Sequence, residues 1–250
     1  MTTATRSPLS LTNNPLEFFE TPETFARWLF AEVTITGRIF EPCVGDGAIV
    51  RAVQDLKDVA RRRWVTNDLD PRWRADFHLD ARTREAFERA GENGPIDWVV
   101  TNTAFSIWRQ VAELGLEYAT EGVALYLRAS VHEVSKGKRP RQPKRTRTKR
   151  GEPTTVVETV QPQPRAGRAW MTEHTPTGIL WLPRFGHQRS GKTGKWATDN
   201  VCTCWVIWRK GSALDFPQFL TYAPAHVLDA LDAETPLFRQ RMDRIMGIAG

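Results

Sequence analysis

Cysteine is scarce: Cys43, Cys202 and Cys204 are the three in a chain of 250 residues. So few exclude a disulfide framework, and none has the C-x-x-C spacing that zinc sites use. They read as reduced thiols, with Cys202 and Cys204 of "VCTCWVIW" on one face of a strand, there for packing and not for metal. Long apolar runs are missing too. No stretch approaches the roughly 20 apolar residues of a membrane-spanning helix. The opening "MTTATRSPLSLTNNP" lacks the apolar core and small-residue cleavage site of a signal peptide. A cytoplasmic protein with neither membrane nor metal partner is expected.

Material for a core is ample. Hydrophobic residues make up 40% of the chain, with 10 Trp and 12 Phe, and this length fits one catalytic-size α/β domain over residues 1–250. The formal charge of +6 and the pI near 9.5 favour a polyanionic partner. Much of the excess lies in "KGKRPRQPKRTRTKRGEP", from Lys136 to Pro153. A block of like charges with Pro and Gly buries no apolar surface and repels itself. Residues 136–168 are therefore expected to form a basic, flexible insert in which Lys144, Arg145 and Arg147 neutralise phosphates.

The elements follow from spacing. In "FFETPETFARWLFAEV", Thr21 is placed to cap a helix whose first position is Pro22, with Phe25, Trp28 and Leu29 on one face. "RIFEP" reads as a strand, "VGDG" as a tight turn, and "AIVRAVQDLKDVA" as a helix aligning Ile49, Val53 and Leu56. "RRWVTNDLDP" reads as a second strand ending in acids, "ADFHLDA" as a short third strand and "RTREAFERA" as a helix. "IDWVVTN" and "GVALYLRA" read as the fourth and fifth strands, with "SIWRQVAELGLEYA" helical between them. Beyond the insert, "GILWLP" and "VCTCWVIWRK" read as strands at the sheet edge, "APAHVLDAL" and "PLFRQRMDRIM" as two helices. Strands alternating with helices predict an α/β, Rossmann-like fold, a mostly parallel sheet with helices on both faces.

In such a sheet, ligands bind beyond the carboxyl ends of the strands. The first strand ends in "FEPCVGDG", with an acid, Glu41, and with Gly45 and Gly47, which let the backbone approach a ligand and turn into a helix. A plain turn would use the same glycines. The second ends in "NDLD", where an acid can accept both hydroxyls of a ribose; Asp68 is the first choice and Asp70 the alternative. Asp80, or its competitor Asp76, is placed to accept from an adenine amino group.

The fourth strand ends in "DWVVTNTAFS". The succession "FFETP", "FEPCVGDG", "NDLD", "DWVVTNTAF" resembles S-adenosylmethionine-dependent DNA methyltransferases acting on adenine N6, especially small phage and prophage members. "GVALYLRASVHE" and "WLPRFGHQRSGKTGKWATDNVCTCWVIW" resemble the later strands of that group, so the likeness runs from about Phe18 to Trp208. The basic insert departs from it. The resemblance implies the class I methyltransferase fold, S-adenosylmethionine as cofactor and DNA as partner, in a bacterium or a phage-infected host. It gives Asn102 and the backbone carbonyl of Thr103 the target amino group to hold, and Phe105 the extruded base to stack on, with no covalent nucleophile or metal. Phe19 would stack near the cofactor's adenine or methionine part, and Thr21 would bond its carboxylate. Arg184 and Phe185, with Lys192 and Lys195, would form a basic loop facing the phosphate backbone.

Thr103-Ala104 stands where the family has two prolines. A carbonyl remains, but the stiffness of two fixed φ angles does not. Either surrounding packing holds the turn and the protein is an enzyme, or it binds nucleic acid without catalysing. RNA and a protein glutamine amide are the other amino-bearing substrates such a turn could take.

Overall fold

The computed structural model describes residues 19–56, 61–132, 170–171, 173–187, 195–196, 202–211 and 219–247. The insert expected at 136–168, with Lys144, Arg145 and Arg147, lies outside them, as does Lys192. In chain order the elements are α1 (Glu23–Glu32), β1 (Gly37–Glu41), α2 (Ala48–Ala52), β2 (Arg62–Thr66), α3 (Arg84–Gly91), β3 (Ile96–Thr101), α4 (Trp108–Tyr118) and β4 (Ala119–Arg128). A 3₁₀ turn (Ala129–His132) follows, then β5 (Gly178–Trp181), β6 (Thr203–Arg209), β7 (Phe219–Tyr222) and α5 (Ala225–Ile245).

The strands form one seven-stranded sheet in the order β2-β1-β3-β4-β6-β5-β7. β6 runs antiparallel to its neighbours β4 and β5, and all other pairings are parallel. The chain leaves β1 toward β2 and returns on the other side at β3, so the strand order reverses beside β1. A crevice opens at that point, at the carboxyl ends of the strands.

Period-two alternation sorts the side chains. Along β4, Ala124 and Tyr126 join Phe25, Ile49, Trp205 and Phe238 on one face of the sheet. Val123, Leu125 and Leu127 join Phe40, Phe87, Val111 and Val206 on the other. With both faces covered, each such side chain contributes about 1.5–3 kcal/mol by leaving water. Gly122 is required: a Cβ there would meet the Trp208 carbonyl at 2.5 Å and the Trp98 ring at 2.7 Å.

The structure departs from the sequence reading in five places. The helix expected over "AIVRAVQDLKDVA" is the short α2, which ends at Ala52, so Val53 and Leu56 lie past its end. "ADFHLDA" forms no strand, only a single bridge between Asn67 and Phe77. The buried Asn67 side chain takes over the ladder, accepting from the Leu79 N–H at 2.7 Å and donating to the Leu79 carbonyl at 2.9 Å. The two helices expected near the end are one, α5, which continues through Pro236. A proline in a helix interior costs about 3 kcal/mol; burial of Val227, Leu231, Phe238 and Met242 on both sides of it outweighs that. Thr21 does not cap α1, which begins at Glu23 with Pro22 at the cap position. The Glu234 carboxylate of α5 caps it instead, accepting from the backbone N–H groups of Glu23 and Thr24, both at 2.8 Å. Finally, β7 was not anticipated, being four residues long in a proline-flanked stretch. No described helix is long and apolar enough to cross a membrane, and no potential metal cluster occurs among the described residues.

Candidate functional site

A cleft of about 300 Å³ opens at the reversal point. Its walls come from the segments after β1, β2 and β3 and from the stretch before α1, the places that strand order singles out. Phe19, Thr21, Glu41, Gly45, Asp68, Asp80 and Asn102 all line it. Gly47, Thr103 and Phe105 stand behind or beside that lining.

The loop after β1 turns on two glycines. Gly45 has φ +50° and Gly47 φ +77°, left-handed values that a side chain disfavours. The Gly47 N–H closes the turn on the Val44 carbonyl at 2.8 Å, and α2 begins at the next residue. β1 and β2 are zipped beyond their ends, Asn67 N–H to Glu41 carbonyl and Val44 N–H to Asn67 carbonyl, both 2.9 Å. Asn67 also donates to the Pro42 carbonyl at 2.9 Å. The sequence reading passed over this residue. Fully buried, it is the strut that ties the loop after β1 to the loop between β2 and α3.

The acids divide by what already holds them. Asp68 accepts from the backbone N–H of Gly45 at 2.8 Å and of Asp70 at 2.9 Å. A carboxylate has about four acceptor positions, so capacity remains for a ligand's hydroxyls. Burial pushes its carboxyl above the ordinary range, against the pull of those two donors. Asp70, the alternative, is committed to Arg72, whose Nε lies 2.6 Å away. Asp80 lines the cleft but is gripped on both oxygens by Arg82, which holds its carboxyl below the usual range. A ligand there must share it with that guanidinium. Asp76 bonds the Thr66 N–H and hydroxyl.

Two further carboxylates carry an unpaired oxygen into this region. Glu41 is 1% exposed and Glu20 3% exposed, and the Oε2 atom of each is buried without a hydrogen-bond partner. Burial raises the Glu41 carboxyl well above its ordinary value. It carries Glu20 to about 7, although Arg241 and Arg51 pull the other way. Arg241 of α5 lies 2.5 Å from Glu20 Oε1, and Arg51 of α2 lies 3.3 Å away. The sequence offered a signal for Glu20, an acid inside "FFETP"; Arg241, more than 200 positions away, had none. Leu69, a large apolar side chain left half-exposed, and Trp73 add apolar wall beside Asp68.

The turn after β3 is held by packing. The Asn102 Nδ2 donates to the Phe19 carbonyl at 2.5 Å. Thr103 is 2% exposed, its hydroxyl 3.8 Å from the Cys43 sulfur. The Ala104 carbonyl accepts from the Ile107 N–H at 3.1 Å, leading into α4. Burial raises the Cys43 thiol to about 12, so it is a packing group at neutral pH. Phe105 packs on Phe19 with ring centroids 5.6 Å apart, and the Arg128 guanidinium lies over it, 4.6 Å from the ring centre. Of the expected basic loop, Arg184 and Lys195 are exposed, while Phe185 is buried against Phe25 and Phe238.

Strand order, reversal point and cleft are those of an α/β protein with the class I methyltransferase fold. Among solved structures, the chain is similar to the methyltransferase subunit of a type I restriction-modification system from Streptococcus thermophilus. The TM-score is 0.50 at 11% identity, over 92% of this chain and 54% of that one. This chain thus spans about half the length of that subunit. It is also similar to a Listeria monocytogenes protein assigned to the class I S-adenosylmethionine-dependent methyltransferases, at TM-score 0.48 and 14% identity, over 87% of this chain and 71% of that one. No family model and no curated protein matches the sequence.

Proposed function

We propose that this chain, as a single methyltransferase domain, moves a methyl group from S-adenosylmethionine to the exocyclic N6 amine of adenine in DNA. One observation carries the reading: the amide of Asn102 stands at the wall of the same cleft that Glu41, Gly45 and Asp68 line. The residues present fit the cofactor. Asp68 has capacity for a ribose diol. The glycine turn presents backbone where a Cβ would crowd a ligand. The orphaned oxygens of Glu20 and Glu41 suit a molecule bearing an ammonium and a sulfonium, because a buried unpaired carboxylate oxygen is costly until a cation meets it.

When bound, S-adenosylmethionine supplies a methyl carbon made electrophilic by its sulfonium. Asn102, its Nδ2 tied to Phe19, presents Oδ1 to a hydrogen of the target amine and orients the nitrogen lone pair toward the methyl group. The Thr103 carbonyl accepts the second hydrogen. An amine held in this way would take the methyl group as its bond to sulfur is given up, and the amine's surplus proton would pass to solvent. The buried setting of Thr103 replaces the stiffness that two prolines would give. Arg184, Lys192 and Lys195, with the basic insert holding Lys144, Arg145 and Arg147, give the phosphate contacts.

The test is calorimetric titration with S-adenosylmethionine, followed by transfer of tritiated methyl to DNA from a host without adenine methylation and digestion to nucleosides. Label in N6-methyladenine is expected. Cofactor binding with label only in RNA or in glutamine would move the substrate. DNA binding with no transfer to any substrate would leave a catalytically silent binding protein.

A further inference from the structure

Arg128 closes β4 at the carboxyl end of the sheet, on the strand next to the one that delivers Asn102. Its guanidinium lies 4.6 Å from the ring centre of Phe105 and 5.8 Å from that of Phe19. No carboxylate among the described residues forms an ion pair with it. An arginine so placed, half-buried on two aromatic rings of which one, Phe19, lines the acid-walled cleft, is not needed to neutralise anything in the fold. It also changes what Phe105 can do. With Phe19 against it and Arg128 over it, the Phe105 ring is layered into the protein.

We propose that Arg128 receives the target base: its planar guanidinium stacks on the base, backed by Phe105, and holds it beside Asn102. This rests on the proposed methyl transfer to a nucleobase. A guanidinium suits the task because it is flat, weakly hydrated and always charged, and it offers N–H donors at its edge. Adenine presents an amino hydrogen beside a ring-nitrogen acceptor. Asn102 Oδ1 takes the first, while the face of the Arg128 guanidinium lies against the ring. Phe19 and Phe105 hold the plane in place as cation–π partners.

The experiment measures tritium transfer to unmethylated bacterial DNA by the full-length protein and by R128K, R128Q and R128M, with cofactor affinity from calorimetry and unfolding midpoints alongside. All three variants are expected to lose about 10–100-fold in kcat/KM for DNA, the range that stacking on one base supplies. Their cofactor affinity and unfolding midpoints should stay near wild type. Lysine is expected not to rescue, since it restores charge without a plane. Full rescue by R128K would reduce Arg128 to a charge and overturn the proposal. So would wild-type activity in R128M and R128Q, or losses that track falling stability or cofactor affinity. These outcomes leave methyl transfer standing. A wild-type protein that binds cofactor yet methylates no nucleic acid overturns both readings together.

Discussion

The side-chain amide of Asn102 donates to the backbone carbonyl of Phe19 across 83 positions of sequence. This bond fixes which end of the amide faces the cleft, because only Nδ2 can donate and Oδ1 is left to accept. The turn after β3 and the segment before α1 are thereby one unit. Asn102→Ala is expected to lower methyl transfer at least about 100-fold, the loss typical of removing a group aimed at the reacting atoms. Cofactor affinity should change by only a few-fold. Tritium transfer and calorimetry on one preparation check both halves.

Thr103 and Ala104 bear on a second prediction. Burial of Thr103 and the Ala104–Ile107 bond already hold the turn, so stiffness is not what the site lacks. Replacing both residues with proline is expected to change kcat by less than about threefold, since the unfolded-state gain is only about 0.4–1 kcal/mol per proline. A large rise in rate would show that packing leaves the turn loose.

Asp68 and Asp70 separate cleanly. Asp68→Asn keeps the shape and removes the charge, and each charge-assisted bond lost to a ribose hydroxyl costs about 1.5–3 kcal/mol. Cofactor affinity is therefore expected to fall at least about tenfold. Asp70→Asn, whose native carboxylate serves Arg72, is expected to leave it nearly unchanged. Calorimetric titration of the two variants decides; the reverse pattern would transfer the ribose role to Asp70.

Glu20 makes the site sensitive to pH. Its carboxyl, near 4.5 ordinarily, sits at about 7 when folded, chiefly because it is buried. Between those values the folded chain binds more proton than the unfolded one, so this group's contribution to stability falls as pH rises from about 4.5 to 7 and is flat above. Binding runs the other way. A ligand ammonium needs the ionised form, so affinity is expected to rise with pH up to about 7, by at most about tenfold per unit, and then level. Glu20→Gln should flatten both profiles; a wild-type affinity that is level from pH 5.5 to 7.5 would remove Glu20 from the cofactor site.

Much of the fold was legible because it rests on local pattern. The strand runs "IDWVVTN" and "GVALYLRA", with helices between strands, gave the parallel part of the sheet; acids and glycines following strands gave the cleft. Phe19, Thr21, Glu41, Gly45, Asp68, Asp80 and Asn102 line it together. What escaped depended on partners distant in sequence. Nothing in the sequence marks Asn67, whose side chain replaces a strand ladder. Arg241 and Glu234 carry no local signal, because their partners stand before or at the start of α1. Pro236 read as a helix boundary because the packing that overrides it is tertiary. No pattern linked Phe105 to Arg128, whose guanidinium lies over its ring.

The cap that Glu234 places on α1 has a consequence in time. Its acceptor is made 211 residues after the donor at Glu23, which at about 5–20 residues per second is a lag of roughly 10–40 s. Throughout that interval the wall of the cleft that carries Glu20 lacks both its helix cap and the Arg241 charge. If Glu20 serves the cofactor as proposed, a chain still on the ribosome would be unfit to hold it, and synthesis itself would act as a delay before the site is assembled. Ribosome-bound chains stalled before α5 are expected to gain no protection from protease on addition of S-adenosylmethionine, and chains stalled after it has emerged are expected to gain it.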